Sequence, residues 1–94
     1  MAPSNSEKID WLIGHVERRL GSLPEVETRF GEWDEDEQVA FVMEWSIPEG
    51  NLRELEDLSE QGLMSEQQEE RFAELQRLAE ESAPILKRLW RASA

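Results

Sequence analysis

Apolar residues recur at helical spacing along most of this chain, and two stretches of the pattern differ in kind. Ile9, Leu12, Ile13, Val16 and Leu20 fall at i, i+3, i+4, i+7 and i+11, one stripe of an amphipathic helix running from Glu7 to about Leu20. Ser4, Asn5 and Ser6 all suit its N-cap, and Gly21 sits where a C′ glycine would end it. Trp11 lies about half a turn from that stripe with His15 beside it, so its ring is expected to be exposed or covered from outside the helix. The stretch Val39-Ala40-Phe41-Val42-Met43-Glu44-Trp45-Ser46-Ile47 is apolar nearly all round. Val39, Val42, Met43 and Ser46 share one side while Phe41 and Trp45 point almost opposite, a pattern expected of a buried central helix covered by its neighbours.

Cap signals divide the rest of the chain. Ser22-Leu23-Pro24-Glu25 has the form of a capping box with Pro in the first turn and predicts a short helix from Leu23 to about Phe30, with Val26 and Phe30 turned inward. Asp34 with Glu37 starts a second box, and Glu35, Asp36 and Glu37 fall in the first turn, where the helix dipole favours negative charge. The next helix has two candidate starts, Ser46 ahead of Pro48-Glu49, or Asn51 after Gly50; either way Leu52, Leu55 and Leu58 form its inner face and Gly62 ends it. Ser65-Glu66-Gln67-Gln68 opens the longest periodic stretch, in which Phe72, Leu75, Leu78, Ala79, Ile85, Leu86, Leu89 and Trp90 make one broad seam. Pro84 predicts a kink there or a fresh start capped by Ser82.

No segment alternates as a strand does. The fold class expected is all-α, a single domain over 1–94 forming a small bundle of four to five helices on a C-terminal antiparallel αα-hairpin, with residues 1–5 and 92–94 disordered.

Charge changes the picture because it is uneven. The net charge is −12, yet residues 25–70 hold sixteen acids against only Arg29 and Arg53. Such a surface repels nucleic acid and anionic lipid and favours a basic partner, although carboxylates also simply keep a small helical protein in solution. No run approaches the ~20 apolar residues of a membrane helix. The polar start carries no signal-peptide core, and there is no Cys, so a cytoplasmic setting is expected.

Candidate chemistry is sparse. His15 is the lone His, with only Asp10 and Glu17 nearby in sequence, and there is no Tyr. Asp34-Glu35-Asp36-Glu37 resembles the start of a Ca²⁺ loop, but the positions that need Gly and Glu hold Val39 and Trp45. Glu-x-x-His pairs for a di-iron bundle are excluded by the single His. The expectation is therefore no enzyme, no cofactor and no metal.

What remains is recognition of another protein, as an inhibitor, an antitoxin-like neutraliser or an adaptor. The surplus of apolar area and four Trp nominate Trp11, His15, Phe41, Trp45 and Trp90 as partner-binding residues, with Asp34, Glu35 and Asp36 steering a basic surface. A homodimer is expected on the same grounds, with no direct contact to nucleic acid or membrane. The alternatives are a nucleic-acid mimic that blocks a DNA- or RNA-binding protein, or a small subunit of a larger assembly. Phe41 is read as a core residue, and Phe41→Ala is expected to cost ~3–5 kcal/mol.

Overall fold

A computed structural model describes residues 5–93, and among them every element is helical. The order is α1 (Asn5–Gly21), α2 (Leu23–Arg29), a 3-10 turn (Phe30–Glu32), α3 (Glu35–Glu44), α4 (Ser46–Glu60) and α5 (Glu66–Ser93). Asn5, Ala92 and Ser93, expected to be disordered, belong to helices; the other residues in that expectation, 1–4 and 94, lie outside the described residues.

The helix at the centre is α1. It packs against both α4 and α5, and its whole stripe of Ile9, Leu12, Ile13, Val16 and Leu20 is buried. Facing it are Leu55 and Leu58 of α4 and Phe72, Leu75 and Leu89 of α5, with Leu23 and Phe30 completing the core. Burying a side chain of this size stabilises by roughly 1.5–3 kcal/mol. At the periphery α2 packs on α5, and α3 packs on α5 and α4.

The stretch expected to be buried is not. No residue of α3 is buried, and only Trp45, in the link to α4, reaches the core. The reason is geometric. A ten-residue helix at the end of the molecule meets neighbours on one side only, and the long helices α1, α4 and α5 bury one another's stripes instead. Phe41 and Val42 turn half inward, while Val39 and Met43 face solvent.

The helix ends follow the cap chemistry in some places and not in others. The Glu37 amide donates to Asp34 Oδ1 at 2.8 Å, as the second box predicts. At α5 the box is reciprocal: the Gln68 amide donates to Ser65 Oγ at 3.2 Å, and the Ser65 amide donates to Gln68 Oε1 at 2.9 Å. Gln68 Nε2 then donates to the Ser6 carbonyl at 3.1 Å and to Asp10 Oδ1 at 3.0 Å, which ties the start of α5 to the start of α1.

Gly62 has φ 73°, the left-handed conformation that glycine adopts without a Cβ penalty. The Leu63 amide donates to the Leu58 carbonyl and the Gly62 amide to the Ser59 carbonyl, which is a Schellman ending for α4.

Ser22 does not cap α2. Its hydroxyl donates back to the Arg19 carbonyl at 2.8 Å, and Gly21 remains helical. With a single residue between α1 and α2, the chain turns without the glycine stop its sequence offers. Of the two candidate starts for α4, Ser46 is the one used, with Pro48 buried in the first turn. Pro84 does not break α5, which runs through it without a new cap.

Candidate functional site

α3 and its junction with α4 carry the largest group of exposed apolar side chains. Val39, Met43 and Ile47 are spaced i, i+4 and i+8 and form an outward stripe, exposed by 39, 71 and 57 %. Beside the stripe lies a shallow groove of about 270 Å³ lined by Trp33, Glu37, Ala40, Phe41 and Glu44. Its apolar wall belongs to an aromatic cluster in which Phe41 meets Trp33 edge-on at 5.7 Å between ring centroids, Phe30 at 6.2 Å and Trp45 at 5.7 Å. Such ring pairs each add about 0.5–1.5 kcal/mol beyond the area they bury. The groove wall is therefore firm.

The cluster is anchored from both sides. The Gln38 side-chain amide donates to the Phe30 carbonyl at 2.7 Å and to the Trp33 carbonyl at 3.3 Å, closing the turn before α3 over its own first residues. The Arg19 guanidinium lies 5.8 Å from the centroid of the Trp45 ring. Its Nε is buried without a hydrogen-bond partner, so the attraction of the ring face is what offsets the desolvation of that end of the group.

Carboxylates frame this surface. Asp34, Glu35, Asp36, Glu37 and Glu44 are all exposed, and among the described residues none of them is held in an ion pair. The Glu37 carboxyl is pushed above the usual carboxylate value, chiefly by the negative charge of Asp34 and also by a hydrogen bond with it. A cation placed over this rim would be stabilised by several uncompensated charges at once. Elsewhere several acids are engaged: Glu27 with Arg88 at 2.5 Å, Asp10 and Glu17 with Arg71, and Glu74 and Glu81 with Arg77.

The residues nominated from the sequence fall in three places. Phe41 and Trp45 come together with Asp34, Glu35 and Asp36 at α3, but Trp45 is 2 % exposed and offers no surface to a partner. Trp11 and His15 form a separate pair on α1, their rings stacked at 5.2 Å with 8° between planes, and Trp11 is 60 % exposed. Trp90 lines a groove at the far end of α5.

The residues that sequence reasoning placed inside are Val39 and Met43, joined outside by Ile47. A signal for them was present. Asp36 precedes Met43 by seven residues and Ile47 by eleven, so a first-turn carboxylate lies on that same side and marks it as wet, whereas Gln38 falls with Trp45 on the inner side.

Among the described residues no group of three or more His, Asp or Glu could hold a metal ion, and no helix is long and apolar enough to cross a membrane. No protein-family model, curated protein or solved structure matches the chain.

Proposed function

We propose that the protein is a non-enzymatic binding module that captures a basic amphipathic segment of another protein, working as an inhibitor or adaptor from a helical bundle built on the α4–α5 hairpin. One observation carries this reading: an apolar stripe at Val39, Met43 and Ile47 beside an aromatic groove, enclosed by carboxylates that no cation among the described residues pairs with. An apolar side chain of the partner fits against Phe41 and Trp33, and Lys or Arg residues one turn away on the partner meet Glu37 and Glu44. Apolar contact then supplies affinity, and the acids supply approach rate and register. Trp11, stacked on His15, remains a second anchor on α1 for a partner long enough to reach it.

The test uses a Leu/Lys amphipathic helical peptide as probe, with a Leu/Glu peptide of equal length as control, followed by tryptophan fluorescence or calorimetry. The Leu/Lys peptide should bind and the control should not. Met43→Lys should weaken binding by about tenfold or more, the change expected when an apolar anchor becomes a like charge. Raising salt should lower affinity without abolishing it. Binding that vanishes in high salt and ignores Met43→Lys would mean that the carboxylates act alone, as in a nucleic-acid mimic. Equal binding of both peptides would remove the acidic frame from the account.

A further inference from the structure

The stacked pair of Trp11 and His15 on α1 lies next to the foot of the α3 stripe. Lys8, near the start of α1, is bound to Glu54 of α4 at 2.5 Å, while Arg19, near the end of α1, lies on Trp45 just ahead of α4. The two packed helices are therefore antiparallel, and the contact of Lys8 with Glu54 fixes their register. One ridge of α1 leads from Lys8 to Trp11 and His15, at i+3 and i+7. The matching ridge of α4 leads from Glu54 back to Gly50 and Ile47, at i−4 and i−7. Trp11 thus comes level with Gly50, and His15 with Ile47. Their burial agrees, since His15 is half-buried on the side towards α4 whereas Trp11 is 60 % exposed.

Ile47 is the last member of the stripe begun by Val39 and Met43, so the exposed apolar surface does not stop at α4 but passes across it to α1. Between Trp11 and Gly50 this surface is open: a Cβ added at Gly50, or at Gly14 beside Trp11, would meet nothing within 4 Å. The stretch from Val39 to Ile47 spans ~12 Å, and the ~8–10 Å between packed helix axes plus one turn of α1 extend the face to roughly 20–25 Å. That is about four turns of a helix laid along it. The charge of the rim changes over the same distance. Asp36 and Glu44 stand at the α3 end, in no ion pair among the described residues. At the α1 end Lys8 is paired with Glu54, and Glu7 and Arg18, of opposite sign, flank the two rings.

We infer, resting on the reading that α3 captures a basic amphipathic segment, that a single partner helix of about four turns lies across α3, the start of α4 and α1. Its apolar face is continuous from Met43 to Trp11, and its Lys and Arg residues are gathered in the half over α3, where the acids are. An apolar side chain of the other half seats in the notch between Trp11 and Gly50, with the indole as a broad anchor. Carried on one helix, the second contact is made within the complex already formed at α3, so the two together bind more tightly than either alone.

The probe is a helical peptide of about 18 residues, with Leu along its whole apolar face and Lys in one half only. The control keeps the same length and charges but carries Gln for Leu in the half without Lys. In calorimetry with the full chain, the full-faced helix should bind one to one and about tenfold or more tighter than the control. Trp11→Ala and Gly50→Lys, both at open positions, should each weaken the full-faced helix by about tenfold. Neither should change the affinity of the control or the far-ultraviolet dichroism. Equal affinity of the two helices, or two helices bound per chain, would overturn the inference while leaving the α3 reading in place, as long as Met43→Lys still weakens both. Indifference of both helices to Met43→Lys would remove that reading, and the continuous face with it.

Discussion

α1 and α3 invert the relation between apolar content and burial. α3 and the junction behind it are the more apolar by composition, yet no residue of α3 is buried, whereas α1, with polar residues over more than half its surface, holds five buried residues. What separates them is coherence and position. α1 concentrates its apolar residues on one stripe long enough for both α4 and α5 to lie along it, and it sits between them. α3 spreads apolar residues all round ten residues at the edge of the molecule, where only one side finds a neighbour. Surplus apolar surface at an edge is then available to a partner.

That contrast is open to direct challenge. The largest expected effect is in α1: Ile13→Ala should cost ~2–5 kcal/mol in urea unfolding, as for a fully buried aliphatic side chain. Met43→Lys, on the outward stripe, should stay within about 0.5 kcal/mol. Phe41→Ala should fall between them at about 1–2 kcal/mol, since a half-buried ring forfeits only part of the ~3–5 kcal/mol of a buried one. A Met43 variant as damaging as the Ile13 variant would place α3 in the core after all.

A smaller effect tests how each helix is started. Gln68→Ala removes the side chain that closes the α5 cap and holds Ser6 and Asp10, and should cost about 1–3 kcal/mol, with faster amide exchange in the first turns of both α1 and α5. If exchange quickens only in α5, the link to α1 contributes nothing.

The smallest effect is in acid, where two carboxyls respond in opposite directions. Arg88 holds Glu27 below the usual carboxylate value, mainly through its hydrogen bond, so the stability from that pair is present above the unfolded value and is lost as pH falls through the folded one. Glu37 is raised by Asp34, so its contribution is present below the unfolded value and is lost as pH rises through the folded one. Unfolding followed from pH 7 to pH 3 should therefore show a shallower acid loss in Glu27→Gln and a steeper one in Glu37→Gln. Glu37 is exposed and Glu27 only half-buried, and the shifts in midpoint should be slight.

Much of the local structure was legible residue by residue. The stripe Ile9–Leu20, the caps at Asp34 and Ser65 and the ending at Gly62 each depend on spacing within one turn or two, and spacing is written in the chain. Ser22 misled because its hydroxyl had a nearer acceptor in the Arg19 carbonyl, and Gly21 because a Gly suited to the left-handed conformation is not obliged to adopt it. The division of the nominated residues among three places was not legible at all. The distance between Trp11, Phe41 and Trp90 depends on how α1, α3 and α5 are stacked, and no interval in the sequence encodes it.

By itself the sequence determined that this chain is helical, where most of its helices start and stop, and that its acids are concentrated in one half. Only the tertiary structure decided which apolar side chains are covered. Periodicity states that a face is apolar, but whether that face is buried depends on the length and placement of the helices available to lie against it, and here the three long helices cover one another and leave α3 at the margin.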